Sequence, residues 1–176
     1  MPTHRWPIGA LASLLASSAP AEILVGGELG GTIPAERLDH KYTTSLGISA
    51  TAAHPMHVGG VELRPGVVAG YNRLANPRDA SRPAWFYRVG LGGDVRYPGF
   101  VVKPLVGAHY GYAWGNGKTL STAYVGGVAY DWEVGVDFPV DPHVDLGARL
   151  RRVVIAGDDA EDARFWVTGI FAAVAY

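Results

Sequence analysis

The residues of this sequence that could do chemistry are mainly charged residues that recur at every second position of apolar segments. Arg88, Asp94 and Arg96 share one phase of one segment, and Asp131 and Glu133 share one phase of another. Alternate residues of a β-strand point to the same side of the sheet, so we expect these groups to gather on one face. The chemistry that this face supports is ion pairing, because the guanidinium fork of arginine matches a carboxylate.

The complete set on this phase has seven acids, six bases and one histidine, so its charges nearly cancel. Its members are Glu28, Glu62, Arg64, Arg88, Asp94, Arg96, Lys103, His109, Asp131, Glu133, Asp137, Asp145, Arg149 and Arg151. A closed interior requires such a balance, since an unpaired buried charge is strongly unfavourable whereas paired charges are tolerated. We therefore interpret the set as a salt-bridge network that plugs an enclosed space.

His109 is the histidine of this set, and Asp94 or Glu133 could pair with it across the strands. Nucleophilic catalysis also needs a nucleophile beside its base. Gly107 lies two residues before His109 and Gly111 lies two residues after it, so no serine stands at that spacing. We predict no catalytic residues and no enzyme activity.

Three further histidines, His54, His57 and His143, lie in predicted turns, where histidine is an ordinary polar residue. The chain has no cysteine, which excludes disulfides and cysteine-based metal sites. We predict no metal site and no cofactor.

The composition excludes several classes of protein. The 176 residues suffice for one domain, and 48% hydrophobic residues are too many for a disordered chain. A net charge of −1 without a basic block gives no surface for nucleic acid. No apolar run reaches the roughly 18 residues of a spanning helix. Yet the charged fraction of 18% is low for a domain surrounded by water.

Residues 1–21 have the pattern of a secretory signal peptide. His4 and Arg5 precede a short apolar run from Ile8 to Ala16, and the segment from Ala19 to Ala21 supplies small residues before a cleavage point. We therefore expect an exported chain whose domain comprises residues 22–176.

The remainder divides into eight strand-length segments separated by clusters of Gly, Pro, Asn and Asp, the residues that turns favour. The predicted strands are 23–33, 42–53, 58–71, 84–97, 100–112, 122–137, 143–155 and 164–176. Each is long enough for a tilted strand of about 9–11 residues to cross a bilayer. The alternation of apolar and polar residues predicts an all-β fold, an eight-stranded antiparallel up-and-down barrel.

Alternation alone fits a soluble barrel with its apolar phase inside and a membrane barrel with that phase toward lipid. Three features favour the transmembrane barrel. Many glycines share the charged phase, as a narrow lumen filled by side chains requires. Aromatic residues of the apolar phase cluster near segment ends, where bilayer interfaces favour them. Tight connections with proline alternate with longer polar ones. The aromatic residues are Tyr42, Tyr71, Trp85, Tyr97, Phe100, Tyr110, Tyr112, Trp132, Phe138 and Tyr176.

Three stretches resemble the small OmpA-like and opacity-type outer-membrane barrels. Lys103–Tyr112 is similar to one strand of that family, Val134–Leu146 is similar to one of its hairpins, and Phe165–Tyr176 is similar to its terminal strand. The resemblance implies a bacterial outer-membrane location, outer-membrane lipid as surroundings, and recognition of the strand ending at Tyr176 by the barrel-assembly machinery. A lipid A deacylase of small-barrel type would show a His-x-Ser-Asn motif, and this chain has none.

The function that follows is an integral outer-membrane protein with a plugged lumen and a structural or surface role. Eight strands leave almost no channel, so at most small ions would pass if the network rearranged. Arg73, Arg78 and Arg82 in the longest outer loop could contact lipopolysaccharide phosphates. We expect a monomer that does not bind nucleic acid. The alternatives are a lipid-active barrel enzyme of the lipid A deacylase type and a soluble, exported, lipocalin-like carrier.

Overall fold

The computed structural model describes residues 22–116, 125–157 and 163–176, and these form a closed antiparallel β-barrel. The strands are β1 Leu24–Pro34, β2 Ser45–Ala53, β3 Met56–Val58, β4 Val61–Leu74, β5 Ala84–Arg96, β6 Lys103–Asn116, β7 Val125–Asp141, β8 Val144–Gly157 and β9 Ala163–Ala175. Each barrel strand pairs with its sequence neighbour, and β1 pairs with β9 to close the ring. The predicted eight-stranded up-and-down barrel is confirmed, with β3 as a short addition.

The two ends of the barrel differ. One end carries both ends of the domain, the short turns and the strand β3, which pairs with the start of β4. We call it the termini end. The other end, the loop end, carries the connections 35–44 and 75–83. The first of these contains a 3-10 helix, Glu36–Leu38. No helix in the described parts of the chain has the length and hydropathy needed to span a membrane.

The strand bounds differ from the predicted segments where tertiary pairing overrides local turn residues. β7 continues through the predicted turn at 138–142 to Asp141, with a register shift between Pro139 and Asp141. β6 begins at Lys103 rather than at residue 100, because the connection 97–102 is longer than predicted. β2 begins at Ser45, so Tyr42 belongs to the preceding connection. The predicted signal peptide, residues 1–21, lies outside the described residues.

The charged phase of the strands points into the barrel and the apolar phase points out. Apolar residues such as Leu29, Leu91 and Ile170 are exposed on the outer wall, while Arg64 and Asp137 are buried inside. The aromatic residues predicted for the wall are largely exposed there, but Tyr42 is only 2% exposed. That placement was wrong, since Tyr42 packs into the lumen beside Leu38 rather than against the outer medium.

Candidate functional site in the barrel lumen

The lumen near the termini end is filled by ion pairs centred on Arg64, whose side chain is 1% exposed. Its Nε donates to Glu62 Oε1 at 2.6 Å, Nη1 to Asp137 Oδ2 at 2.9 Å and Nη2 to Asp145 Oδ2 at 3.0 Å. Arg96 donates to Glu62 Oε2 and to Asp145 Oδ2, both at 2.6 Å. One guanidinium thus satisfies three carboxylates from three strands, and the second links two of them again.

Glycine and strand register make room for these pairs. Gly147 lies opposite Asp137, and a Cβ at Gly147 would stand 2.5 Å from Asp137 Oδ1 and 2.8 Å from Arg149 Nη1. With glycine there, Arg149 Nη2 reaches Asp137 Oδ1 at 2.5 Å. The Arg149 guanidinium also lies 4.2 Å from the centre of the Phe171 ring, a cation–π contact. Glycine on the inner phase therefore accommodates the long arginine side chains.

A second group of ion pairs, in the middle of the lumen, is centred on Arg151. Its Nε lies 2.9 Å from Glu133 Oε2, its Nη1 lies 3.0 Å from Glu28 Oε2, and its Nε is 3.5 Å from Asp131 Oδ1. Arg88 Nη1 contacts the other carboxylate oxygen of Asp131, Oδ2. All five side chains are buried. We call the residues around Arg64 and Arg151 together the charged lumen.

His109 belongs to this middle group. Its Nδ1 lies 2.9 Å from Asp131 Oδ1, so its carboxylate partner is Asp131 and not Asp94 or Glu133 as expected. The register explains this, because His109 pairs directly with Asp131 across β6 and β7. The inward hydroxyl of Ser49 donates to Glu28 at 3.1 Å instead of to a histidine. The contact of His109 with Asp131 holds an imidazole against an anion.

Asp94 and Lys103 are the members of the predicted set with fewest contacts. Asp94 Oδ1 lies 4.0 Å from Arg64 Nε and, among the described residues, has no hydrogen-bond partner. Lys103 lines a cavity of about 260 Å³ that opens at the termini end beside Arg96 and His143. The other twelve members of the set are buried. The charged lumen therefore ends in a small polar vestibule.

Toward the loop end the lumen is filled by an apolar cluster. Phe86 and Phe165 stack at 5.6 Å between ring centres, and both are almost fully buried. The cluster, which we call the apolar plug, comprises Leu38, Tyr42, Leu74, Ala84, Phe86, Ala113, Ala129, Val153, Ile155, Ala163, Phe165 and Val167. The sequence interpretation missed it. The available signal was a change along the inner phase, from Arg88 to Phe86 in β5 and from Arg151 to Val153 in β8.

The connection 35–44 closes the barrel over this plug. Leu38 and Tyr42 pack inside, while the Glu36 side chain reaches the outer wall. Its carboxylate accepts from Arg152 at 2.6 Å and from Arg164 at 2.8 Å. Glu36 has φ 56°, a left-handed conformation that is unfavourable for a residue with a Cβ. Two ion pairs therefore hold a strained residue at the point where the chain crosses the rim.

The three loop arginines predicted to contact lipid phosphates are exposed. Arg73 points outward from the end of β4, and Arg78 and Arg82 lie in the connection 75–83. Arg82 Nε lies 3.1 Å from Asp79 Oδ2. Hydrogen bonds from the Ser81 hydroxyl and backbone N–H keep the pKa of Asp79 below its ordinary value.

The histidines of the termini end make separate contacts. His54 Nδ1 lies 3.0 Å from the backbone oxygen of Glu22, and His57 Nε2 lies 3.5 Å from Glu62 Oε2. His143, in the turn between β7 and β8, lines with His57 the cavity at the termini end. Within residues 22–116, 125–157 and 163–176, no group of three potential ligands could hold a metal ion.

The fold and the charged lumen define the chain as a small barrel of the type found in outer membranes. Neisserial surface protein A has 18% identity over 88% of this chain and 97% of its own, with a TM-score of 0.61. The outer-membrane enzyme PagL has 13% identity over 86% and 98%, with a TM-score of 0.57. Ail, the attachment invasion locus protein of Yersinia pestis, has 14% over 90% and 100%, with a TM-score of 0.50.

These likenesses are structural. No family model matches the sequence, and no curated protein matches it. The resemblance to small outer-membrane barrels, predicted from the strand motifs, is confirmed at the level of the fold. The set of neighbours contains an enzyme as well as surface proteins, so the fold does not assign an activity.

Proposed function

We propose that this chain is an integral bacterial outer-membrane protein with a sealed lumen and a structural or surface role. The observation that carries the proposal is that the charged side chains of the strands point into the barrel and the apolar ones point out of it. Among the described residues, fourteen polar or charged side chains are buried, while large apolar side chains such as Val106, Tyr110 and Ile170 are more than half exposed. Such a wall is unfavourable in water and favourable in lipid.

The exposed aromatic side chains support the same location. Tyr97, Phe100 and Tyr176 lie at the termini end, and Tyr87 and Tyr112 lie near the loop end. Aromatic rings at both edges of an apolar wall are typical of the two interfaces of a bilayer. In this orientation the termini end faces the periplasm and the loops face outward.

The same evidence argues against a soluble, lipocalin-like carrier. Such a carrier needs a polar exterior and an apolar cavity for its ligand. Here the interior next to the apolar plug is occupied by Arg88, Asp131 and Arg151. The plug itself is packed, with Phe86, Leu74 and Phe165 each at most 1% exposed.

Sealing follows from the two fillings of the lumen. Ions would have to displace the carboxylates that surround Arg64 and Arg151 and then pass the apolar plug. Both steps are unfavourable, since the first leaves buried charges unpaired and the second removes the ion from water. We propose a static plug rather than a gate.

Two measurements test this proposal. Expressed with residues 1–21, the protein should enter the outer-membrane fraction and migrate as a heat-modifiable band, and in planar bilayers it should show no discrete openings. Folded protein that remains soluble without detergent would contradict the membrane location. Discrete openings of the purified barrel would contradict the sealed lumen.

A lipid-active enzyme is the second candidate, because PagL shares the fold. The described residues disfavour it, since the hydroxyl of Ser49 contacts Glu28 and the imidazole of His109 contacts Asp131. Incubation with lipid A followed by mass spectrometry tests it. Loss of an acyl chain that depends on His109 would favour the enzyme.

We also propose that the barrel-assembly machinery recognises the terminal strand and that the protein acts as a monomer. β9 presents Ile170 and Val174 on its outer face, and the exposed Tyr176 follows directly after it. Removing Tyr176 should lower the amount of heat-modifiable barrel in cells, while the purified variant still refolds in detergent.

A further inference from the structure

The outer wall has an apolar groove of about 340 Å³ near the loop end. Ala50 of β2 and Ala69 of β4 lie opposite each other and form its base. Ile48, Tyr71 and Tyr87 stand in the adjacent row of the sheet and form its upper edge. The groove exists because Ala50 and Ala69 are neighbours on this part of the wall, and Gly27 continues the row of small residues beyond Ala50.

The upper edge of the groove is rigid and aromatic. The rings of Tyr71 and Tyr87 are 5.0 Å apart, and those of Tyr87 and Trp114 are 5.9 Å apart. Trp85 adds a further ring 5.3 Å from Tyr87. Such a cluster suits the level at which headgroups meet acyl chains, because its rings are apolar and its hydroxyl and indole groups are polar.

Cations stand directly above the aromatic edge. Arg73 follows Tyr71 by two residues on the same outward phase and is exposed, opposite Trp85. Arg78 and Arg82 are exposed in the connection that begins there. Asp79, which pairs with Arg82, is the acid of this stretch, so residues 73–82 carry a net charge of 3 − 1 = +2.

The opposite wall shows how an anion is accommodated at this level of the barrel. There Arg152 and Arg164 also point outward, and the carboxylate of Glu36 lies between them at 2.6 and 2.8 Å. Trp166 supports Arg152 from a ring centre 5.0 Å away. The chain itself supplies the anion on that wall, whereas Arg73 has no carboxylate partner among the described residues.

We propose that the groove and Arg73 bind one phosphorylated lipid of the lipid A type, with an acyl chain over Ala50 and Ala69 and a phosphate on Arg73. This rests on the proposed function, which places the loop end in the outer leaflet. Three arginines within ten residues suit a headgroup with more than one phosphate. A second copy of the chain would bring an apolar wall and would leave Arg73 without an anion.

The test uses the full refolded chain in detergent and native mass spectrometry with three lipids: lipid A, dephosphorylated lipid A and phosphatidylglycerol. The variants are Ala69→Trp, which fills the groove, and Arg73→Gln, which removes the cation. The matched controls are Ala148→Trp on the exposed wall of β8 and Arg73→Lys. All these side chains point away from the lumen, so the charged lumen stays intact.

We expect one bound lipid A per barrel. Loss of the phosphates, Ala69→Trp and Arg73→Gln should each weaken lipid A binding about tenfold, as expected for the loss of one charged contact or of the groove that holds one acyl chain. Ala148→Trp should bind like the unmodified chain, and Arg73→Lys should retain most of the affinity. Should Ala69→Trp fail to refold, Arg73→Gln and the dephosphorylated lipid still decide the question.

Equal binding of phosphatidylglycerol or of dephosphorylated lipid A would overturn the proposal, as would equal effects of Ala69→Trp and Ala148→Trp. A dimer that Ala69→Trp dissociates would assign the groove to a second copy instead. A chain that reaches the outer membrane and binds no lipid A would overturn this inference alone. A chain that does not enter the membrane would overturn the proposed function as well.

Discussion

The two halves of the lumen are filled by different chemistry. In the half nearer the termini end, Arg64 and Arg151 are surrounded by carboxylates from several strands. In the half nearer the loops, the same inner phase carries Phe86 and Phe165, which stack on each other. Both halves are buried, but one consists of paired charges and the other of apolar side chains.

The two halves of the lumen therefore have different roles. The ion pairs select the register of the strands, and the apolar plug closes the barrel. The ion pairs form only when each arginine stands at the height of its carboxylates, so a slipped strand would leave charges unpaired. The apolar plug is less selective about partners, but it excludes water and ions at the outer end. It also gives the connection 35–44 an apolar surface on which Leu38 and Tyr42 pack.

The largest effect should come from breaking the charged half. Arg64→Met removes one of the cations that Glu62, Asp137 and Asp145 contact, so we expect a loss of about 3–5 kcal/mol in the free energy of unfolding. Urea unfolding in detergent, followed by tryptophan fluorescence, measures this. Lys103→Met at the open vestibule is the control and should change stability by less than about 0.5 kcal/mol. Equal stability of the two variants would show that the pairs contribute little.

A cavity in the apolar plug should have the next largest effect. Phe86→Ala removes one ring of the stacked pair, and we expect a loss of about 3 kcal/mol. Ile170→Ala, at a side chain 72% exposed on the outer wall, is the control. It should cost less than about 1 kcal/mol, because lipid or detergent fills the space as well as a side chain does. If the control costs as much as Phe86→Ala, the plug is not a packed core.

The bridge made by Glu36 should have a smaller effect. Glu36→Ala removes both ion pairs and keeps an unfavourable φ, so we expect a loss of about 1 kcal/mol. Glu36→Gly removes the same pairs but tolerates the left-handed conformation, and it should be about 1 kcal/mol more stable than Glu36→Ala. Limited proteolysis within residues 35–44 provides a second readout. Equal stability of the alanine and glycine variants would contradict the strain at this position.

The smallest effect concerns the exposed connection 75–83. Because the pKa of Asp79 is lowered in the folded loop, ionised Asp79 favours that loop above the ordinary pKa. This contribution disappears as the pH falls through the lowered value. Ser81→Ala should bring the pKa of Asp79 back toward its ordinary value without changing global unfolding, as measured by NMR titration. An unchanged titration of Asp79 would show that Ser81 does not set its pKa.

Part of the structure was predictable because a strand has a period of two. The charged phase that contains Arg64, Arg88 and Asp131 could be identified from alternation, and its inward direction followed from the glycines on that phase and the aromatic residues on the other. The order of the strands followed from their turn residues. The bounds of β7 could not be predicted, since proline at position 139 is typical of a turn but lies here within a paired strand. Pairing with β8 decides that point, and pairing is not a local property.

The sequence by itself determined that charges and apolar residues lie on opposite phases of antiparallel strands. Only the tertiary structure decided which charges meet, because those contacts depend on barrel closure and on the relative heights of distant strands. Thus Asp131, and not Asp94 or Glu133, contacts His109. The apolar plug likewise needed the closed barrel, since Leu38 and Tyr42 reach Phe165 only when β1 pairs with β9.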